Sequence, residues 1–304
     1  MLSMPSVYII ILNWNSSEDT IECICSLQNL NYQQYKLILV DNGSTDQSEE
    51  RLRSRFPNLP FIQTGSNLGY AGGNNVGIKY ALEQGADYVW LLNIDTIVHP
   101  DSLSTMVEMA LSDSIIGMVG SKIYFYDEKD VLWYAGGTFD LEEGGIASHL
   151  GWGQKDIGQF EQVKDVGYIT GCSLLVKREV IEKIGLLPEE YFLYFEETDW
   201  NYCAQQNGFR TVIAHKSLIW HKVKRKGEAK VRFTYYMTRN RFLLVKKLKK
   251  KSLLKCIQYQ YKQGKLLLTE IKKQAGISTF LQFTKILILA WIDGLILNRS
   301  GKTL

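Results

Sequence analysis

Short runs rich in Val, Ile and Leu recur through the first third of the chain, and an amphipathic stretch follows each of them. The runs cover residues 7–12, 36–40, 61–63 and 88–92. Strands this continuously apolar are typical of a parallel sheet that helices cover on both faces. The alternation therefore predicts an α/β fold with a mostly parallel sheet and flanking helices.

The composition excludes several classes of protein. With 304 residues, of which 45% are hydrophobic, the chain can bury a large core, which excludes a disordered protein. Its five cysteines are an odd number without a C-x-x-C pair, which indicates reduced thiols and a cytoplasmic location. The first apolar run is too short for a signal peptide or a membrane span.

Polar side chains directly follow three of the apolar runs, at the strand ends where such a sheet binds its ligands. They are Asn13, Asn15, Asp41, Asn42, Asn93 and Asp95. Residues 40–46 (Val-Asp-Asn-Gly-Ser-Thr-Asp) form either a turn that caps the next helix or a loop in which Asp41 and Asn42 bind a ribose or a pyrimidine edge. The spacing does not decide between the two.

A segment rich in Gly and Asn, residues 67–77, leads into a helix predicted at residues 76–83. Its small residues allow the backbone to approach a ligand closely, and the start of a helix favours a phosphate. The segment does not follow the first strand and lacks G-x-G-x-x-G, and the chain contains no G-x-x-x-x-G-K-[ST]. These absences exclude the dinucleotide fingerprint and the P-loop.

Asn93 and Asp95 are two residues apart at a strand end. Oxygen ligands in this arrangement suit Mg²⁺ or Mn²⁺ bound together with substrate phosphates, and the same pattern also occurs in ordinary loops and helix caps. His221 borders the basic residues 222–226, so it is either a structural histidine or one that meets a phosphate.

Three carboxylates, Glu196, Glu197 and Asp199, follow a largely aromatic stretch. A helix start explains acidic residues as caps and as partners of the helix dipole. An aromatic environment also desolvates a carboxylate and raises its pKa, which suits a general base.

Taken together, these segments resemble family 2 of the inverting glycosyltransferases, in particular its bacterial rhamnosyltransferase-like branch. The matching segments appear in the expected order over nearly the whole chain: residues 11–15, 40–46, 67–75, 91–96, 194–199 and 235–241. The resemblance implies a sheet of the GT-A nucleotide-binding type. The catalytic domain is expected at residues 1–230, with donor binding at about 1–120 and the acceptor and base region at about 121–230.

The resemblance also implies roles for single residues on the donor side. Asn13 and Asp41 fall where the family contacts the nucleoside. Asn67, Gly69 and Asn75 fall where it organises the donor pocket.

Further roles concern the chemistry. Asp95 matches the last carboxylate of the metal-binding D-x-D, with His221 completing the metal site, and Glu197 matches the catalytic base. Gly171 lies where the family's chain passes the acceptor. The chain departs from the pattern twice, because Asn93 replaces the first Asp of D-x-D and Glu197 stands where Asp is common.

The implied reaction is an inverting, metal-dependent transfer of one sugar from a nucleotide-sugar donor to a polyprenyl-diphosphate-linked saccharide. The branch implies L-rhamnose from dTDP-rhamnose, and UDP-linked galactofuranose, hexoses and N-acetylhexosamines stay open. A nucleotidyltransferase lacks support because no Gly- and Lys/Arg-rich loop follows the first strand. A processive synthase would need several membrane spans and a Q-x-x-R-W motif, and the sequence offers neither. A glycan-binding protein without catalysis is the non-enzyme alternative.

The last part of the chain is strongly basic. From His221 onward there are 21 Lys and Arg against 3 Asp and Glu, whereas the preceding residues carry 14 against 29. Residues 231–304 are therefore predicted to be a basic, amphipathic helical tail that contacts the inner face of the cell membrane. Residues 280–292 are its apolar surface. Lys285 and Asp293 argue against a full membrane span, because a charge is costly in hydrocarbon. The alternative is packing on the catalytic domain or on a second copy of the chain, as in a homodimer. Nucleic acid is not expected as a partner, because the segment has no nucleic-acid-binding motif.

Overall fold

The strands of the protein form one large sheet and one small one. The computed structural model describes residues 4–162, 164–223 and 231–301. In the large sheet the strand order is β3-β2-β1-β4-β10-β6-β11-β5, with β7 paired to β6, while β8 and β9 form a separate pair. The strands are β1 (Val7–Asn13), β2 (Tyr35–Asp41), β3 (Phe61–Gln63), β4 (Tyr88–Leu92), β5 (Thr96–Val98), β6 (Ile116–Phe125), β7 (Leu132–Tyr134), β8 (Gly137–Asp140), β9 (Ile146–His149), β10 (Ser173–Lys177) and β11 (Arg210–His221).

The first four predicted strands are confirmed, and β1 to β4 pair in parallel. The side chains of β1 and β4 are almost all buried, as continuous apolar runs require when helices cover both faces. The register places Asn13 beside Asp41, the last residue of the neighbouring strand. The predicted binding edge therefore forms from adjacent strand ends. Strand β10 runs antiparallel between β4 and β6.

Among the described residues, six α-helices lie before residue 224 and three lie after residue 230. They are α1 (Ser17–Leu27), α2 (Ser48–Arg55), α3 (Gly69–Glu83), α4 (Ser102–Leu111), α5 (Arg178–Ile184), α6 (Glu196–Gln206), α7 (Val231–Lys249), α8 (Leu253–Gln274) and α9 (Ile277–Trp291). A short π-helical turn, Ile292–Ile296, continues α9.

Helix α3 begins at Gly69, seven residues earlier than predicted, so the glycine-rich segment is part of the helix and not a loop before it. A Cβ on Gly73 would lie 2.6 Å from the Leu12 side chain, and one on Gly77 would lie 2.7 Å from that of Ile10. These glycines therefore let the helix pack closely against β1. The interpretation as a loop that approaches a ligand is wrong for them.

Helix α7 is packed into the protein and is not a free tail. Tyr235, Tyr236 and Leu244 are fully buried, and they belong to apolar clusters that also contain residues of the loop before α6. Contacts therefore cross the boundary predicted at residue 230. That boundary stays a prediction, since residues 224–230 lie outside the described residues.

Helix α9 divides the apolar surface predicted for the tail. Phe283, Ile286 and Leu287 are buried, whereas Leu281 and Ile288 are exposed. The first three side chains therefore stabilise the fold and are not available to a membrane. Only the outer face of the helix is available for contact with a membrane.

Candidate active site

Asp41 is completely buried at the end of β2, and its carboxylate is well supplied with hydrogen bonds. It accepts them from Asn13 Nδ2 (2.7 Å), from the backbone N–H of Ser44 (2.8 Å) and from Gln63 Nε2 (3.0 Å). Asn13 is in turn held by Thr20, whose hydroxyl donates to Asn13 Oδ1 (2.9 Å). The described contacts of Asn13 and Asp41 fix the loop after β2. Direct contact with a nucleoside stays a prediction.

Asn15 and Asn42 connect this loop to its neighbours. Asn15 is exposed with a left-handed backbone (φ 53°), and its Oδ1 accepts the backbone N–H of Thr45 (2.8 Å). Asn42 is buried; its Nδ2 donates to the Gly69 carbonyl (3.0 Å) and its Oδ1 accepts the Leu68 N–H (3.0 Å). Of these two asparagines, only Asn15 has a side chain open to a donor.

The start of α3 joins the donor side of the cleft to the loop that carries the acidic residues. Gly69 has φ 77°, and a Cβ there would overlap the Phe192 carbonyl oxygen, so only glycine fits. The next N–H, that of Tyr70, donates to the same carbonyl (2.7 Å). Asn67 Oδ1 accepts the Gly69 N–H (2.8 Å). Asn67 and Gly69 thus shape the junction, and their predicted contact with the donor is untested.

Asn75 lies further along α3 and is buried. Its Nδ2 donates to the Leu187 carbonyl (2.9 Å) and to Glu189 Oε1 (2.8 Å), and its Oδ1 accepts the Leu187 N–H (3.0 Å). These bonds fasten α3 to the segment before α6. They describe a structural role, and the predicted place of Asn75 in the donor pocket stays a prediction.

Asp95 and His221 meet at the carboxyl end of the sheet although 126 positions separate them in the sequence. His221 Nε2 lies 3.1 Å from Asp95 Oδ1, and the Lys222 N–H donates to the Asp95 carbonyl (2.9 Å). Burial raises the pKa of Asp95, but the hydrogen bond and charge of His221 and the charge of Lys222 outweigh it, so the pKa lies below its ordinary value. The carboxylate is thus kept ionised.

The donor set fits a divalent cation that substrate phosphates help to hold. A carboxylate oxygen and an imidazole nitrogen already face each other, and the Asp95 side chain is about one-third exposed. Within the part of the chain that the structure describes, no group of three or more His, Cys, Asp and Glu side chains could hold a metal alone. A site of this size is the kind in which Mg²⁺ or Mn²⁺ relies on water and a diphosphate. The Asn93 backbone N–H is bonded to the Cys172 carbonyl (3.0 Å), which places this residue at the rim of the same cleft.

Two of the three predicted acids have unpaired oxygens. Glu196 is buried and Glu197 is half-buried, and the Oε2 atom of each has no hydrogen-bond partner among the described residues. Burial raises the pKa of Glu197 to about 6. Burial and the charge of Glu197 raise the pKa of Glu196 well above its ordinary value. Glu197 is therefore the more accessible of two carboxylates that are suited to accept a proton.

Asp199 differs from the other two acids. Its Oδ2 accepts hydrogen bonds from Tyr191 (3.0 Å) and Lys247 (2.7 Å), and its side chain is almost fully buried. A carboxylate committed to an ion pair in the core is poorly suited to accept a proton from a substrate. These contacts argue against Asp199 as a base and leave Glu196 and Glu197.

The charges of Asp95 and of the two glutamates act on the same side chain. Burial first, and then the charges of Glu196, Glu197 and Asp95, raise the pKa of Tyr194 to about 12. Tyr70 is also close to both glutamates, and its hydroxyl donates to the Gly171 carbonyl (2.6 Å). The electrostatic effects on Tyr194 and Tyr70 therefore connect Asp95 with the two glutamates, and the Tyr70 hydroxyl connects the glutamates with Gly171.

An aromatic group beside His221 was not predicted as part of the site. The ring centroid of Trp133 lies 4.6 Å from that of His221 and 4.5 Å from that of His149, and the exposed Trp152 lies 6.1 Å from Trp133. Burial and the nearby His221 lower the pKa of His149 to about 4 against an opposing hydrogen bond with the Trp133 carbonyl, so this imidazole is neutral at pH 7. The Gly-Trp-Gly sequence at residues 151–153 is the signal from which this aromatic group could have been predicted.

Three curated relatives share sequence with the chain. The low-salt glycan biosynthesis hexosyltransferase of Haloferax volcanii is 26% identical over 204 residues, covering 67% of this chain and 62% of the relative. The N-acetylglucosaminyl-diphospho-decaprenol L-rhamnosyltransferase of Mycobacterium tuberculosis is 28% identical, covering 61% and 66%. The dTDP-rhamnosyl transferase RfbF of Shigella flexneri is 22% identical, covering 80% of each chain. The match thus spans less than two-thirds of the length of the first two relatives.

The fold is shared with solved glycosyltransferases. The mannosyltransferase PcManGT from Pyrobaculum calidifontis, solved in complex with GDP-Man and Mn²⁺, superposes with a TM-score of 0.61 at 14% identity, covering 97% of this chain and 88% of that one. This likeness confirms the GT-A-like sheet. The profile of the family described as Glycosyl transferase family 2 matches residues 8–185, more than half of the sequence, and the chain belongs to that family.

Proposed function

We propose that the protein transfers one sugar from a nucleotide diphosphate donor to an acceptor hydroxyl with inversion at the anomeric carbon. The observation that carries the proposal is the Asp95–His221 pair together with the half-buried Glu197, because the charges of Asp95 and Glu197 both act on Tyr194. One group suits a diphosphate with its cation, and the other suits a proton from a hydroxyl. A transferase needs both within reach of one substrate pair.

In the proposed reaction Glu197 accepts the proton of the acceptor hydroxyl. The hydroxyl oxygen forms a bond to the anomeric carbon from the side opposite the nucleotide. The bond from that carbon to the diphosphate oxygen breaks, and its electron pair leaves with the nucleotide. A divalent cation held by Asp95 and His221, with Asn93 at the rim, would neutralise the charge of the leaving diphosphate. A single displacement of this kind inverts the anomeric configuration.

We propose L-rhamnose from dTDP-rhamnose as the donor and a polyprenyl-diphosphate-linked saccharide as the acceptor. The support is the similarity of the chain to two relatives, a decaprenol-linked rhamnosyltransferase and a dTDP-rhamnosyl transferase. UDP-linked hexoses, galactofuranose and N-acetylhexosamines are the alternative donors. An acceptor of this kind places the enzyme at the cytoplasmic face of the membrane.

Two observations support a peripheral membrane contact. Leu254, Tyr261, Leu281 and Ile288 are exposed on α8 and α9. The same part of the sequence carries the excess of Lys and Arg, and each basic residue near an anionic leaflet contributes about 1 kcal/mol. Residues Ile277–Ile296 also have the length and apolar composition of a membrane span. Core helices of soluble proteins share this property. In this chain 33% of the most apolar stretch is buried inside the protein.

The donor is tested by thermal shift against dTDP-rhamnose and a panel of UDP-, GDP- and dTDP-sugars, with and without Mn²⁺. A ligand that binds only the folded state raises the melting temperature. We expect the largest increase for dTDP-rhamnose with Mn²⁺, together with slow Mn²⁺-dependent hydrolysis of the donor. No shift and no hydrolysis with any nucleotide sugar would contradict the proposed function.

The membrane contact is tested with the full chain, since α7 is packed into the fold. Wild-type protein should float with phosphatidylglycerol vesicles at low salt and less at high salt. The double substitution Leu281→Asp and Ile288→Asp should remove flotation. Ile157→Asp changes an exposed apolar residue elsewhere and is the control. Equal flotation of all three proteins would refute a contact through α9.

A further inference from the structure

The backbone that leads into α6 is strained. Phe192, Tyr194 and Phe195 have φ values of 65°, 68° and 77°, in the left-handed region that residues other than glycine rarely adopt. Each such residue costs on the order of 1–3 kcal/mol and persists only where the surrounding structure holds it. The strained segment ends directly before Glu196 and Glu197, so its conformation sets where both carboxylates point.

Asn240 of α7 contacts this segment through its side-chain amide. Its Nδ2 donates to the carbonyls of Tyr191 (3.0 Å), Leu193 (2.8 Å) and Tyr194 (2.8 Å). Asn240 is completely buried, and the two N–H groups of its amide serve three carbonyl oxygens of the strained turn, so at least one N–H is shared between two carbonyls. Because these carbonyls converge on one amide across the left-handed residues, the bonds depend on the shape of the turn.

Arg239 reinforces the same arrangement. It is completely buried; its Nη2 donates to the Tyr191 carbonyl (2.7 Å) and its Nε to Asn240 Oδ1 (2.8 Å), which orients the amide. Its Nη1 donates to the Gly301 carbonyl (2.7 Å). The Arg239 backbone packs against Gly294, where a Cβ would lie 2.6 Å from the Arg239 carbonyl oxygen. The arginine therefore ties the loop before α6 to the end of the chain.

We propose that Asn240, oriented by Arg239, is a positioning residue that fixes the loop before α6 and thereby sets the direction of the Glu197 carboxylate. The inference rests on the proposed function, in which Glu197 is the base. Asn240 acts through the loop and not on the substrate. Residues 239 and 240, at the centre of the Tyr-Tyr-Met-Thr-Arg-Asn-Arg segment, thus belong to the active-site architecture and not to a separate tail.

The test compares Asn240→Ala with Gln260→Ala. Gln260 is a buried amide of α8 that donates to the Thr238 carbonyl of α7 (2.7 Å), so its removal also costs a buried helix contact, but it lies outside the loop. We expect Asn240→Ala to lower kcat by about a hundredfold, because small displacements of a catalytic group have effects of this size. Its donor KM should change little. Gln260→Ala should lose comparable thermal stability and keep its kcat.

Kinetics are measured with the nucleotide sugar that the wild-type protein hydrolyses fastest. Hydrogen exchange at residues 192–198 gives a second measurement that needs no activity. Asn240→Ala should increase exchange there, and Gln260→Ala should not. If Asn240→Ala does not fold, Asn240→Ser replaces it, because serine keeps one side-chain donor. We expect the same changes in kcat and in exchange, but smaller ones.

Two results would overturn the inference. One is a kcat in Asn240→Ala or Asn240→Ser equal to that of Gln260→Ala at matched loss of stability. The other is unchanged exchange at residues 192–198. A wild-type protein that turns over no nucleotide sugar would refute the proposed function instead, while the exchange measurement would still report on the contact between Asn240 and the loop.

Discussion

The loops after β1 and β2, where we propose that the donor binds, are joined through the start of α3 to the loop before α6, but the two sides are held in different ways. At the donor side the buried Asp41 carboxylate receives hydrogen bonds from Asn13, Ser44 and Gln63. At the base side Glu196 and Glu197 have oxygens without partners among the described residues and follow a strained backbone. On the donor side the buried carboxylate thus has hydrogen-bond partners and holds the loop in place. The base side keeps unsatisfied, desolvated carboxylates, as catalytic acids and bases require.

The largest effect is expected at the base. Glu197→Gln should lower kcat by about two to four orders of magnitude with little change in donor affinity, because the amide cannot accept the proton. In the wild-type protein kcat should fall as the pH drops below about 6, the pKa to which burial raises Glu197. Kinetics of both proteins between about pH 5 and about pH 8 measure both effects.

Glu196→Gln is the matched control for this substitution. It removes the neighbouring buried carboxylate from the same helix turn and should retain most of the activity. If Glu196→Gln is inactive while Glu197→Gln is active, Glu196 is the base and the assignment must be exchanged.

The next effect concerns the cation. Asp95→Ala should abolish Mn²⁺-dependent binding of the donor and leave the fold intact, since the Asp95 side chain is partly exposed and joins His221 at the strand end. Asp19→Ala removes a nearby carboxylate that pairs with Lys222 and serves as control. Titration of Mn²⁺ in the presence of donor measures the difference. Unchanged Mn²⁺-dependent turnover in Asp95→Ala would refute the metal assignment.

The contrast between the two sides also explains how much the sequence could predict. Asn13, Asp41 and Asp95 follow apolar strands directly, so the topology of a parallel sheet brings them to one edge. The proximity of His221 to Asp95 could be proposed from the family resemblance, but not from local pattern, because β11 is distant in the sequence.

The base side was harder to predict for a physical reason. Its shape depends on left-handed aromatic residues, which local preferences disfavour, and on Asn240, which acts from a helix more than 40 positions later. A basic composition suggested a surface tail, whereas the buried face of α7 carries the contacts that hold the loop. Charge counts describe the outer face of such a helix and say little about its inner face.

A smaller effect is expected when the donor framework is altered. Asp41→Asn keeps the shape of the side chain but removes the charge that three donors face, and hydrogen bonds to a charged group are worth about 1.5–3 kcal/mol. The melting temperature and the donor affinity should both fall, with kcat at saturating donor nearly unchanged. A large loss of kcat with unchanged donor affinity would instead place Asp41 in the chemical step and remove the contrast between the two sides.

The smallest effect is a gain of stability at Glu196. Burial, and then the charge of Glu197, raise its folded-state pKa above the ordinary 4.5, so the folded protein binds a proton more tightly than the unfolded chain. The ionised carboxylate therefore costs stability as the pH rises above about 4.5. Glu196→Gln should raise the melting temperature by a few degrees at pH 7, and the difference from wild type should shrink toward zero near pH 4, where both states are protonated. Thermal unfolding across this range measures it, and a variant that is less stable than wild type at pH 7 would show that the Glu196 carboxylate is a stabilising part of the loop.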